Sequence, residues 1–214
     1  MAASRSLPAP GPAWVEHALL LGKRGATVVV NDLIAATAEA VAKAIVDAGG
    51  NAIAVPGSVA ERSVTDAIVQ TTIDKFNRID ILVNNAGIDI AGEFPDVSPE
   101  QFSQMLGVHV HGSWNLAQAV WPHMVKQKYG RILIVSSAAL YGMPQNSAYT
   151  VAKGALFGLS KALSFDGEPH GILVNALGPI ANTGMTTEIV TEGPIFDLIE
   201  QNYPASAVSP WWRG

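Results

Sequence analysis

The sequence predicts an α/β domain built on a doubly wound parallel sheet. Two observations carry this expectation. Short β-branched apolar runs alternate with longer helical stretches between residues 28 and 174. The strand runs are also almost continuously apolar, which is the pattern of strands covered by helices on both faces. The chain has 214 residues, of which 49% are apolar and 14% charged, enough for one domain with a sizeable core.

Val28-Val29-Val30 forms the first strand core and Asn31-Asp32 ends it. Ala35 to Ala48 is Ala-rich, carries Val41, Ile45 and Val46 at helical spacing, and stops at Gly49-Gly50. Ala52 to Val55 is the second strand. Val64 to Phe76 reads as a helix with Ile68, Thr72 and Phe76 on one face. Ile79 to Val83 is the third strand. Pro99 to Lys126 is one long helix with a bend expected near Gly112 or Pro122. Ile132 to Val135 is the fourth strand, Ala148 to Phe165 a helix, and Ile172 to Val174 the fifth strand.

Composition excludes several classes. The formal charge of −5 and the high apolar content rule out disorder. The acidic balance, with no block of five basic residues, argues against a nucleic-acid partner. There is no Cys, so disulfides, thiolate metal sites and Cys nucleophiles are excluded, and no metal is expected. No apolar run reaches the roughly 18 residues of a membrane helix. Ala18-Leu19-Leu20-Leu21 is hemmed by Glu16, His17 and Lys23 and does not read as a signal peptide. A cytoplasmic protein with no membrane partner is expected.

In doubly wound sheets ligands bind beyond the carboxyl ends of the strands. The residues there are Asp32, Gly57-Ser58, Asn84 to Gly87, Ser136-Ser137, and Pro179 onward. Nearby lies Tyr149-Thr150-Val151-Ala152-Lys153, with Tyr and Lys one helical turn apart on one face. A free phenol has a pKa of about 10 and is a poor proton carrier at neutral pH. A neighbouring ammonium favours phenolate and lowers that value. The pair can then move a proton at an alcohol or carbonyl oxygen.

Asn84-Asn85-Ala86-Gly87 after a strand, Ser136-Ser137 at the end of the next, and Tyr149-x-x-x-Lys153 follow one another in the order of the short-chain dehydrogenase/reductase family, which the chain resembles from about residue 18 to about residue 210. The stretches 126–142 and 30–33 look most like the hydroxyacyl-CoA dehydrogenase domain of peroxisomal multifunctional enzymes and their bacterial relatives.

The resemblance implies a Rossmann-like single domain and an oxidoreductase interconverting a secondary alcohol and a ketone. Tyr149 is then the general acid/base, and Lys153 lowers its pKa and holds the nicotinamide ribose. The substrate-orienting serine is Ser137 counted from the strand and Ser136 counted back from Tyr149; the strand favours Ser137. The family's usual fourth catalytic residue, an Asn, is matched by His109, which is equally a helix-packing residue.

Asp32 implies NAD, because a carboxylate there bonds the adenosine ribose and repels a 2′-phosphate; the alternative is a cap on the next helix. Asn85, Ala86 and Gly87 would face the cofactor. Gly57 stands where many members have an adenine-binding Asp, leaving the Ser58-Val59 backbone for that task. Pro179, Ile180 and Thr183 match the stretch that holds the nicotinamide amide. The substrate is a small alcohol, ketone or acyl compound, with Met185, Ile189, Ile195, Phe196 and Leu198 in the covering segment 183–202.

The ends depart from the family. Leu7 to Trp14 stands in place of a strand and a Thr-Gly-x-x-x-Gly-x-Gly turn, and Pro8, Pro10 and Pro12 cannot donate to a central ladder. The first and last strands of the fold are therefore expected to be missing. One set of synonymous codons for Ser4 to Trp14, read one base earlier, encodes Val-Ala-Leu-Val-Thr-Gly-Ala-Gly-Pro-Gly-Leu-Gly. Trp211-Trp212-Arg213 behaves similarly. The alternative function is thus a frameshifted or truncated, catalytically dead member acting by interaction or without function. Trp114, Ala117, Trp121, Phe157 and Leu163 are more apolar than one sheet face needs, so a homo-oligomer is expected; the alternative is that they pack on the sheet.

Overall fold

The computed structural model describes residues 13–178. In chain order the elements are α1 (Ala13–Lys23), β1 (Thr27–Val30), α2 (Ala35–Asp47), β2 (Asn51–Ala54), α3 (Arg62–Phe76), β3 (Ile81–Asn84), α4 (Pro99–Leu106), α5 (Gly112–Gln127), β4 (Gly130–Val135), α6 (Ser147–Gly167) and β5 (Ile172–Leu177). The described residues hold two sheets, one pairing β1 with β2 and one ordered β3-β4-β5. The described residues divide into two compact units, residues 13–30 and 39–53, and residues 31–38 and 54–178.

In the first unit α1 precedes β1, an element the sequence reading did not assign. Val15, Ala18 and Gly22 are buried in it. Gly22 lies against the Ile45 side chain, where a Cβ would come 2.5 Å from Ile45 Cγ2. Ile45 itself is almost wholly buried.

The second unit carries the parallel sheet. Leu82 pairs with Ile132, and Ile132 with Val174. Paired residues share a face, and alternation puts Ile134 and Ile172 on that same face. These residues form one cluster with Leu116, Val120 and Met124 of α5 and Leu156 of α6. Helices α5 and α6 therefore cover the same side. On the other side Ile81 is 37% and Leu173 49% exposed. Among the described residues β5 alternates between buried and exposed positions, its buried ones lying in the cluster with α5 and α6.

One boundary differs from expectation, and the bend in the long helix falls beside Gly112, one of its two expected places. The third strand begins at Ile81 and not at Ile79. The Ile79 N–H donates to Gln127 Oε1 at 3.0 Å and its carbonyl accepts from Gln127 Nε2 at 2.8 Å, so a side chain takes the place of a ladder partner. The long helix is broken by a π turn over Gly107–His111, adjacent to Gly112, while Pro122 lies inside an unbroken α5. The start of α4 is set locally. Ser98 Oγ accepts from Gln101 N–H, Gln101 Oε1 accepts from Ser98 N–H, and Pro99 occupies the first turn.

The five residues singled out for an oligomer surface also separate. Ala117 is buried in the helical layer, and Trp121 and Leu163 pack against the core, but Trp114 and Phe157 remain 52% and 44% exposed. Helix α6 is held close to β5: a Cβ on Gly167 would lie 2.5 Å from the Ile172 carbonyl oxygen. That neighbour is backbone and cannot step aside. Gly167→Ala is expected to lower stability by about 1–3 kcal/mol, read as a lower urea midpoint at unchanged m value.

Candidate active site

The site grows from the end of β4 and the first turns of α6. The ladder continues one residue past the strand, since Ser136 N–H donates to the Leu177 carbonyl at 2.7 Å. The residues at 132, 134 and 136 alternate onto the helix-covered face. Ser136 is accordingly buried, and its hydroxyl donates to the Lys153 carbonyl at 2.8 Å. In return, Lys153 Nζ donates to the Val135 carbonyl at 2.9 Å. Thr150 Oγ1 adds a bond to the Ala139 carbonyl at 2.9 Å. Three bonds thus tie α6 to the strand end and to the loop that follows it.

Tyr149 lies one turn before Lys153, whose Nζ is 5.3 Å from the phenol ring centroid. Ser137 has extended backbone; its hydroxyl accepts from Ala139 N–H and is near enough to Tyr149 to act on its phenol. Ser137, Tyr149 and Lys153 therefore converge, whereas Ser136 is engaged with the α6 backbone. His109 comes from the π turn. Its ring meets the Tyr149 ring edge-to-face, with centroids 5.5 Å apart and planes at 88°. A π turn adds a residue to the helical circuit and recurs at functional sites.

Burial dominates the electrostatics. It pushes the Tyr149 phenol above its ordinary value; the Ser137 hydroxyl pulls down and the Asp89 carboxylate adds to the rise. Lys153 was expected to depress Tyr149; the net direction here is upward, with burial the largest cause. Lys153 is lowered to about 8 by burial. His109 is lowered to about 4, by burial first and then by the Lys153 charge, against a hydrogen bond to the Ile88 backbone carbonyl. It is neutral at pH 7.

Asp32 Oδ1 accepts from Ile34 N–H at 2.8 Å, just before α2, so its carboxylate shapes the entry to that helix. Asn31, which the sequence reading passed over as a strand stop, donates from Nδ2 to the carbonyls of Val55 and Gly57. Gly57 has φ +138°, and a Cβ there would come 2.9 Å from both Val64 methyls. The position is closed to the Asp of the family pattern by backbone and by space. Ser58 Oγ accepts from Ala60 N–H at 3.3 Å, and the Val59 side chain belongs to the core.

Asn85 is half-buried and Ala86 exposed at the end of β3. The space at Gly87 is taken by the His109 ring, with both ring nitrogens 3.1 Å from the Cβ position. Neither this contact nor the Asp89 charge on Tyr149 was singled out from sequence; a glycine beside a buried histidine has no one-dimensional signature. Pro179, Ile180, Thr183 and the segment 183–202 lie outside the described residues, as do residues 4–12 and 211–213.

Comparison with known proteins agrees with this geometry. Residues 15–193 match the short chain dehydrogenase family. The chain is 37% identical over 177 residues to the peroxisomal hydratase-dehydrogenase-epimerase of Neurospora crassa, covering 82% of this chain and 19% of that protein. It is 37% identical over 198 residues to the mouse peroxisomal multifunctional enzyme type 2, covering 88% of this chain and 26% of that protein. It thus spans about a fifth to a quarter of these curated relatives. A gluconate 5-dehydrogenase from Burkholderia cenocepacia, solved with NADP and tartrate, superposes with TM-score 0.79 at 28% identity, covering 88% of this chain and 74% of that one. A metagenomic short-chain oxidoreductase solved with NADP gives TM-score 0.76, also at 28% identity, covering 80% of this chain and 78% of that one.

The chain belongs to the short-chain dehydrogenase family, and its fold is the Rossmann-like α/β fold of those structures. Among the described residues no helix is long and apolar enough to cross a membrane.

The His109 shift fixes a pH dependence. The folded value is about 4 and the unfolded value about 6.5. Between them the unfolded chain binds a proton that the folded chain refuses. Stability from this group is therefore full above pH 6.5 and is lost as pH falls toward 4. The loss is of order 3 kcal/mol. His109→Gln is expected to flatten the unfolding free energy over that interval relative to the parent, measured by urea titrations at pH 4, 5, 6 and 7.

Proposed function

We propose that the chain is an NAD(H)-dependent oxidoreductase that interconverts a secondary alcohol and a ketone, with 3-hydroxyacyl thioesters the first substrate class to test. The observation that carries the reading is the convergence of Ser137, Tyr149 and Lys153 at the end of β4.

In the reductive direction Tyr149, protonated as burial holds it, would give its proton to the carbonyl oxygen; in the oxidative direction it must first be phenolate to take the substrate hydroxyl proton, and in both Ser137 would orient the oxygen by hydrogen bonding. The nicotinamide, when bound, supplies the acceptor for the carbinol hydride. The residues present fit such a cofactor: the buried Lys153 ammonium has three N–H donors and spends one on Val135, leaving donors for ribose hydroxyls. Asp32 supports NAD, by bonding the adenosine ribose and repelling a 2′-phosphate. The two solved relatives were crystallised with NADP, so the preference for NAD rests here on Asp32 alone. Asn85, Ala86 and the Ser58-Val59 backbone follow strand ends on the cofactor side.

The thioester class rests on the likeness to the peroxisomal enzymes. The exposed Trp114 and Phe157 on neighbouring helices of one layer support a homo-oligomer, and a monomer in sedimentation at micromolar concentration would refute that assembly.

Removing the phenolic oxygen tests the chemistry. Tyr149→Phe is expected to reduce turnover about 10²–10⁴-fold, with NADH affinity by calorimetry near that of the parent; unchanged turnover would remove this residue from proton transfer. Asp32→Ala is expected to narrow the NAD over NADP preference in kcat/KM, and a parent that prefers NADP would contradict the assignment. No NADH binding by the parent would favour the alternative, a family member without catalysis.

A further inference from the structure

His109 is buried to 0% exposure, neutral, and anchored on one backbone peptide. Its Nε2 is 3.0 Å from the Ile88 nitrogen and 2.8 Å from the Ile88 oxygen. With the proton on Nδ1, Nε2 accepts from the Ile88 N–H. With the proton on Nε2, it donates to the Ile88 carbonyl. Either tautomer therefore keeps the ring in the same place, while Nδ1 has no partner. On one side of the ring is Gly87, where any Cβ would overlap Cε1. Gly87 is not among the positive-φ glycines, so its backbone does not demand glycine. The space does. The ring also stands edge-to-face with Tyr149.

We propose that His109 is a positioning residue: a wedge seated on Gly87 and the Ile88 peptide that fixes the plane of the Tyr149 phenol, with Gly87 serving as its receptor. This rests on the reading of Tyr149 as the proton carrier, but the wedge itself is testable without turnover. Its energetic signature is coupling. A methyl at position 87 is harmful because a ring stands there, so removing the ring should remove most of the harm.

The test is a double-mutant cycle on the full chain with Gly87→Ala and His109→Ala, read by thermal unfolding and by the ring resonances of Tyr149, assigned through their loss in Tyr149→Phe. Gly87→Ala is expected to lower Tm sharply in the parent and by less than half as much in the His109→Ala background. If Gly87→Ala does not fold, recovery of a folded double variant supports the wedge. Equal losses in both backgrounds, or a double variant that also fails to fold, overturn it. His109→Ala is also expected to shift the Tyr149 ring resonances, and an unmoved ring overturns the contact with Tyr149. Where the parent turns over substrate, His109→Ala should lower kcat roughly ten-fold at unchanged KM. A change in KM alone would overturn the positioning role, whereas an inactive parent refutes the proposed function and leaves the cycle and the resonances to decide the wedge.

Discussion

The site depends on one reciprocal tie, in which Lys153 gives its ammonium to the Val135 carbonyl and receives the Ser136 hydroxyl on its own carbonyl. Taking an ammonium out of water is costly unless a hydrogen bond meets it. Here the acceptor is the last carbonyl of β4, and the cost is visible as a Lys153 pKa lowered to about 8. The bond fixes the rotation of α6 about its axis. Once that rotation is set, the residue one turn earlier, Tyr149, must stand over the strand end beside Ser137.

The same burial governs proton occupancy around Tyr149. The phenol is raised and His109 is lowered, and both shifts favour the uncharged form. Lys153 opposes protonation of His109 directly. One cation and one neutral ring therefore share this corner, and the acidic neighbour Asp89 counters any phenolate. A cationic ring entering this environment would shift the balance back toward phenolate.

Much of this was legible in sequence. Apolar runs at Val28 to Val30 and Ile132 to Val135 and the Tyr149/Lys153 spacing are short-range patterns, and the observed elements lie within a few residues of them. What stayed hidden involves partners distant in sequence. Ile79 left the sheet because Gln127, 48 residues away, satisfies both of its backbone groups. The break in the long helix fell at a π turn whose inward residue is accommodated by Gly87, in a different segment. The choice between Ser136 and Ser137 was open by counting, yet period-two alternation already groups 136 with Ile132 and Ile134 on the helix side. Extending that alternation one residue past the strand would have separated them.

Gly57 has a consequence for anyone strengthening adenine binding. Specificity engineering in dinucleotide enzymes usually proceeds by exchanging side chains on a fixed scaffold. At this turn the scaffold itself withholds the option, since φ is +138° and Val64 occupies the space a side chain would enter. A carboxylate for adenine must be introduced together with a rebuilt 56–58 turn and a smaller residue at 64, so the route runs through loop grafting and not through point substitution.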